Sequence, residues 1–197
     1  MTPRRIGIFG GTFDPPHIGH LIIAERARVQ LQLDRVFFVP AYLPPHKRGR
    51  ASATPSDRLK MVQLAVRGNA GFAVSDVELK RKGISYTIDT VKEMRRNYPG
   101  AEIYLILGSD NLLEFHTWKS YRELLELTQL IVYPRGQRRM QRPSQLRKAR
   151  IHFLRGMLFD ISSSAIRQLV RTKSSIRYLV SAEVERYIVS RKLYRRT

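Results

Sequence analysis

Short apolar runs alternate along the chain with stretches whose apolar residues recur every three or four positions. This alternation predicts an α/β fold around a mainly parallel sheet. Ile6-Gly-Ile-Phe9 reads as a first strand that stops at Gly10-Gly11. Asp14-Pro15-Pro16 then resembles a helix start, with Asp14 as N-cap and proline where the missing N–H costs nothing. The helix is expected to run to about Leu33 with Ile18, Leu21, Ile22 and Val29 inward. Val36-Phe-Phe-Val39 forms a second strand ended by Pro40, and residues 41–55 a long loop rich in proline, basic and small residues. A loop of that length in a compact domain is usually functional.

Further on, a helix is predicted near 56–67, a strand over Phe72–Val77 and a helix over Thr87–Tyr98 closed by Pro99-Gly100. Ile103-Tyr-Leu-Ile-Leu107 is the most strand-like run in the chain. A helical pattern over 111–127, a strand at Leu130-Ile-Val-Tyr133 and a short sixth strand at Ile151–Leu154 follow. Two helices close the chain, one opening at Ser162-Ser163-Ser164 and one over Ala182–Arg191. No internal repeat and no linker divides the 197 residues, so one domain spanning 1–197 is expected, with helices on both faces of the sheet and further helices at the C-terminus.

The segment richest in candidate chemistry is Gly10-Gly-Thr-Phe-Asp-Pro-Pro-His-Ile-Gly-His20. It follows the first strand and opens a helix, the place where α/β folds bind phosphates. Glycines 10 and 11 let backbone N–H groups approach an anion, and the helix N-terminus adds partial positive charge. The spacing differs from the G-x-G-x-x-G fingerprint of dinucleotide-dependent redox enzymes. His17 and His20 stand three apart and share one helix face, where two imidazoles can donate to phosphate oxygens and stabilise developing charge. Gly19 between them removes a side chain where a ligand or another backbone can pass close. A second anion clamp is suggested by Ile161-Ser-Ser-Ser-Ala-Ile-Arg167, with hydroxyls beside unpaired helix N–H groups and an arginine one turn on. Ile166, Leu169 and Val170 make the apolar face of that helix, leaving Arg167 to point elsewhere.

Composition narrows the chemistry. The chain has no cysteine, which excludes disulfides and thiolate metal sites, so any metal comes through oxygen or imidazole ligands or arrives with a substrate. No run approaches the roughly 18 apolar residues of a membrane span, and the N-terminus lacks a signal-like apolar stretch. A cytoplasmic protein with no membrane partner is therefore expected. The net charge of +20 attracts polyanions without choosing among nucleic acid, membrane surface and phosphorylated metabolites. The run from Arg135 to Arg155 is basic with no acidic residue, but carries few aromatics to stack bases and no recognised reading motif. Incidental RNA contact and homo-oligomer formation stay open.

Gly11-Thr-Phe-Asp-Pro-Pro-His-Ile-Gly-His20 resembles the H-x-G-H signature of the nucleotidylyltransferase superfamily, and Ile161–Arg167 its I-S-S-T-x-x-R motif, with Ser164 where threonine is usual. The resemblance implies a Rossmann-like fold and direct in-line transfer of a nucleotidyl group from ATP, with Mg²⁺ arriving on the ATP phosphates rather than in a protein metal site. It implies His17 and His20 as the catalytic pair, and Gly10, Gly11, Thr12, Phe13, Ser162, Ser163, Ser164 and Arg167 as the ATP-binding set.

Within that superfamily, Pro44-Pro-His-Lys47, Gly83-Ile-Ser-Tyr-Thr-Ile-Asp-Thr90 and Gly108-Ser-Asp110 with Trp118 are similar to the nicotinate mononucleotide adenylyltransferases. This implies nicotinate mononucleotide as acceptor, held by Lys47, Ser85, Tyr86, Thr87, Gly108, Asp110, Trp118 and Arg135. In that scheme Ser85-Tyr86-Thr87 presents backbone and hydroxyl groups to the pyridine carboxylate, Asp110 meets ribose, and Trp118 stacks on the ring. Taken singly, Thr87 and Thr90 also fit helix caps, with Thr90-x-x-Glu93 as a capping box, and Trp118 fits a core position. Phosphopantetheine adenylyltransferases share both phosphate motifs but lack the Ser85-Tyr86-Thr87 element and typically carry threonine in place of His17. The cytidylyltransferases that act on small phospho-alcohols differ at the second motif. Residues 136–158 match no motif.

Overall fold

The computed structural model describes residues 2–44, 52–134, 141–155 and 160–195. In chain order the strands are β1 (Arg5–Gly11), β2 (Arg35–Pro40), β3 (Phe72–Val74), β4 (Glu102–Gly108), β5 (Gln129–Tyr133) and β6 (Ile151–Phe153). The helices are α1 (Ile18–Gln30), α2 (Pro55–Ala65), α3 (Val77–Arg81), α4 (Thr87–Asn97), α5 (Ser109–Glu114), α6 (Tyr121–Leu127), α7 (Ser163–Arg171) and α8 (Ala182–Ser190).

The six strands form one sheet in the order β3-β2-β1-β4-β5-β6, and each neighbouring pair is parallel. Parallel neighbours need crossovers, and the crossover helices cover both faces, which is why the strands are apolar without alternation. From Ile103 to Leu107 every residue of β4 is buried. Its odd-numbered residues pack with Ile88, Val91 and Met94 of α4 and with Leu112, Phe115 and Leu124. Tyr104 and Ile106 face the other way, with Ala24 and Ala27 of α1 and Val62 of α2. Gly7 lies on that second face because a Cβ there would stand 3.0 Å from Leu33 Cδ1 and 3.2 Å from Ile106 Cδ1. The strand order reverses direction between β1 and β4, leaving a crevice at their C-terminal ends where open α/β sheets take ligands.

The C-terminal helices build a third, smaller core. Ile166, Ile176, Val180, Val184, Ile188 and Tyr194 pack with Met61 of α2 and Ala53. Among the described residues no helix is long and apolar enough to cross a membrane.

The expected elements appear with four corrections. Asp14 does not cap α1, which begins at Ile18 with His17 in the N-cap position, because the carboxylate is turned inward onto other partners. Val29 is 61% exposed; Leu21, as expected, and Ile23 pack half-buried against the core, and the fully buried residues of α1 are the small Gly19, Ala24 and Ala27. The strand expected to Val77 stops at Val74, and Val77 opens α3. The helical pattern over 111–127 is broken into α5, a 3-10 turn (Phe115–Thr117) and α6, with Ser120 at φ 53° making the corner.

A hydrogen-bonded carboxylate ties α8 to α2. Asp57 Oδ1 accepts from Tyr187 Oη at 2.8 Å and Oδ2 from Thr54 Oγ1 at 2.6 Å, with Arg191 Nε 3.8 Å away. Burial opposes ionisation, but these donors and the Arg191 charge outweigh it and hold the carboxyl below its ordinary value. A depressed carboxyl contributes stability above its unfolded pKa of about 3.9, and that contribution is lost as pH falls through the folded value. Asp57→Asn should therefore cost about 1–2 kcal/mol at pH 7. In urea titrations across pH, the gap to the parent should close below about pH 4.

Candidate active site

The chain leaves β1 through Gly10 and Gly11 at the crevice. A Cβ on Gly10 would meet nothing within 4 Å, so this backbone faces open space, whereas one on Gly11 would stand 3.1 Å from the Phe13 ring. Phe13 is buried at φ 50° among Phe9, Phe38 and His20, so only its backbone is available to a ligand. His17 and His20 stack with ring centroids 3.6 Å apart and planes at 29°. His20 Nδ1 accepts from the His17 backbone N–H at 3.1 Å. In the neutral ring the proton therefore sits on Nε2, making that atom a donor. Gly19 was expected to make room for a ligand or another backbone. It makes room for His17 instead: a Cβ there would lie 3.0 Å from His17 Nδ1.

The second motif folds back onto this turn. Ser162 caps α7 by accepting from the Ala165 N–H at 3.1 Å. Ser163 Oγ donates to the Pro15 carbonyl at 2.8 Å, and Arg167 donates from Nη1 to the Asp14 carbonyl at 2.8 Å and from Nη2 to Ser164 Oγ at 3.4 Å. Two segments about 150 residues apart in sequence thus share one anion-seeking corner. The α7 hydrophobic face is as expected, with Ile166 buried and Leu169 and Val170 packed against the C-terminal core.

On the other side of the crevice, Gly108 ends β4 where a Cβ would run into the Asp110 carboxylate, and Asp110 is exposed in the first turn of α5. Trp118 is half-buried against Phe115, with centroids 4.9 Å apart. Lys119 Nζ lies 4.2 Å from the Tyr86 ring centroid, so the Trp118 loop and the start of α4 are neighbours. Helix α4 begins at Thr87 with Tyr86 as N-cap and no side-chain cap; the Asp89 and Thr90 N–H groups donate to the Tyr86 carbonyl, and those of Thr87 and Ile88 are left for a ligand.

Ser85 departs from expectation, since both groups assigned to a carboxylate are engaged within the protein. Its N–H donates to the Leu43 carbonyl and its Oγ accepts from the Tyr42 N–H, each at 2.9 Å. Thr90 is no cap: it lies inside α4, donates to Glu78 Oε1 at 2.6 Å and accepts from Arg81 at 3.0 Å, while Glu93 pairs with Arg81. Lys47 and Arg135 lie outside the described residues, as do the rest of the basic stretch 135–140 and residues 156–159.

Beneath the crevice lies a polar hub that sequence reasoning missed. Arg58 is 0% exposed. Its guanidinium donates to the carbonyls of Thr12 (2.8 Å), Tyr42 (3.1 Å) and Ala53 (3.4 Å). Burial pulls it below its ordinary value while Asp14, Tyr194 and Glu78 pull it back. Asp14 accepts from the backbone of Ser52 and Ala53 and from Tyr194 Oη at 2.8 Å. Burial, reinforced by the Asp14 charge and hydrogen bond, drives the Tyr194 phenol well above its usual range, so it serves as donor. A signal for Arg58 did exist: it shares a helical face with Met61, Val62 and Ala65, a charge where the period calls for an apolar residue. Among the described residues no group of three or more His, Asp or Glu side chains is placed to hold a metal ion.

The cytidylyltransferase-like family model matches residues 8–169, spanning both the Gly10–His20 turn and the Ile161–Arg167 segment. A protein of Desulfitobacterium hafniense named as a probable nicotinate-nucleotide adenylyltransferase is 45% identical over 98% of this chain and 97% of its own. One of the same name from Exiguobacterium sibiricum is 43% identical over 96% of this chain and 98% of its own. This chain belongs to the nicotinate-nucleotide adenylyltransferase family. The Plasmodium falciparum nicotinic acid mononucleotide adenylyltransferase, solved with NaAD, superposes with a TM-score of 0.79 at 19% identity over 97% of each chain, a likeness of fold.

For a member of this adenylyltransferase family, the tight seat of His17 gives a direct test. Gly19→Ala places a methyl against the imidazole and should push it off His20. Turnover should fall by about 10- to 100-fold, the scale of an ångström of misplacement, while the far-UV CD spectrum stays that of the parent.

Proposed function

We infer that this chain joins ATP to nicotinate mononucleotide, forming nicotinate adenine dinucleotide and releasing pyrophosphate. The observation that carries the reading is the convergence, at the β1/β4 crevice, of the His17–His20 turn and the α7 N-terminus on one side with the uncapped α4 N-terminus on the other. Two phosphate-seeking elements face one carboxylate-seeking element. That matches the two substrates, one a triphosphate and one a mononucleotide with a negatively charged ring.

In the proposed reaction a phosphate oxygen of the mononucleotide attacks the α-phosphorus of ATP in line. The bond from that phosphorus to the bridging oxygen breaks, and pyrophosphate leaves with the electron pair. Magnesium enters on the ATP phosphates as part of the substrate. No protein nucleophile is required, because phosphoryl-type transfer is served by positioning and charge stabilisation. His20 donates from Nε2 to an oxygen of the reacting phosphates, and His17, stacked on it, holds that ring and faces the same anion. Gly10, Gly11 and the α7 first turn offer N–H groups to the polyphosphate, and Arg167 adds charge. Asp110 accepts from ribose hydroxyls in this scheme. Trp118 supplies a ring face that serves acid and amide alike.

Choice of the acid over the amide falls to α4. Free N–H groups at a helix start, with the helix dipole behind them, favour a carboxylate and offer an amide NH₂ nothing. The overall charge of +20 acts in the same direction but is screened beyond about 8–10 Å.

Purified protein with ATP, magnesium and each mononucleotide should release pyrophosphate and form the dinucleotide, with kcat/KM at least about tenfold higher for the acid. Equal turnover of both would overturn the acceptor choice, and turnover of phosphopantetheine alone would overturn the reaction. His20→Ala should lower kcat by roughly 10²-fold or more, as for loss of one transition-state donor. Near-normal kcat in a folded variant would remove His20 from the chemistry.

A further inference from the structure

Glu78 is a buried carboxylate that the chemistry above leaves without a task. It sits in the first turn of α3 at 6% exposure. Its Oε1 takes the Thr90 hydroxyl at 2.6 Å, and Thr90 in turn accepts from Arg81 at 3.0 Å. Burial pushes its carboxyl up from the ordinary range, against the Ser85 and Thr90 hydroxyls and the charges of Arg81 and Arg58. A buried charge is a poor way to obtain stability alone, since an apolar side chain of similar volume often does as well.

The groups around it are placed with a purpose. Ser85 comes just before the first turn of α4 and Thr90 lies one turn inside it. Ser85 Oγ also accepts from the Tyr42 N–H, and the Tyr42 carbonyl accepts from Arg58, which reaches Thr12. A run of hydrogen bonds therefore links the turn at the end of β1 to Ser85 at the opening of α4, and Glu78 holds the same helix one turn further on through Thr90.

We propose that Glu78 is a positioning residue for the acceptor: bonded to Thr90 within the first turns of α4, it sets where the Thr87 and Ile88 N–H groups stand relative to the phosphate turn. The proposal rests on nicotinate mononucleotide being the acceptor. Glu78 touches no substrate and acts only through the helix it orients. The ATP corner is also anchored by Ser163 and Arg167, which lie outside that run, so loosening Glu78 should leave that corner in place.

Initial rates with varied ATP, acid and amide test this in the parent, Glu78→Gln, Thr90→Val and Thr90→Ser, with thermal melts alongside. Glu78→Gln and Thr90→Val should raise KM for the acid about five- to tenfold, keep KM for ATP within about twofold, and lower the acid-to-amide ratio. Thr90→Ser, which keeps the hydroxyl, should restore the parent values. Equal rises in both KM values, or an unchanged acid KM and ratio in folded variants, would overturn the proposal. Should Glu78→Gln fail to fold, the Thr90 pair decides alone. A parent enzyme that does not prefer the acid would instead remove the acceptor assignment on which the proposal stands, an outcome visible before any variant is made.

Discussion

A single guanidinium with no access to water, that of Arg58, is bonded to three backbone carbonyls, one from the turn after β1 and two from the connection between β2 and α2. Carbonyl oxygens at strand ends are costly when buried without donors, and a buried cation is costly without acceptors, so each satisfies the other. It thereby joins the turn after β1 to the start of the β2–α2 connection at Tyr42 and to its end at Ala53. Asp14 completes the arrangement from the opposite side, taking the backbone of Ser52 and Ala53 and the hydroxyl of Tyr194. Removing one member of such a network leaves an uncompensated buried group, typically at about 3–5 kcal/mol. The functional turn is rigid because it is bonded from below, which leaves its upper surface open to ligand.

The parallel sheet determines where that surface lies. Reversal of strand order between β1 and β4 leaves a crevice that no crossover helix covers, and the C-terminal strand ends deliver Gly10, Gly11 and Gly108 to its edges. Helices α1, α4 and α5 all begin near those ends, so their positive N-termini gather around one volume. A field of that kind suits substrates bearing phosphates and a carboxylate, and it needs no residue to change its charge.

The C-terminal helices act as a clamp on this arrangement. Tyr187 reaches Asp57, Tyr194 reaches Asp14, and the Leu179 carbonyl accepts from the Ile18 N–H at the start of α1 at 2.8 Å. Helix α7 adds its own bonds to Pro15 and Asp14. Docking of the last third of the chain thus assembles half of the phosphate corner, and the small core around Met61, Ile166 and Val184 provides the apolar burial that supports it.

The sequence by itself determined the fold class, the order of the strands along the chain and both phosphate motifs. Those features are local: apolar runs, helix periodicity, and glycine, serine and histidine at strand-to-helix turns carry their meaning within about ten residues. The same locality explains the misreadings. Asp14 before two prolines has the pattern of an N-cap, and only the return of the chain at Ser52, Arg167 and Tyr194 makes it a buried acceptor. Val29 obeys the helical period, yet the fold leaves it exposed and fully buries the small Ala24 and Ala27. Ser85 bears the right hydroxyl for a ligand, but it accepts from the Tyr42 N–H, and Thr90, which fits a helix cap, donates to Glu78 from the helix before. Tertiary structure decided these cases because a polar side chain's partner is whatever the fold brings within about 3 Å, and separation along the chain does not encode that distance.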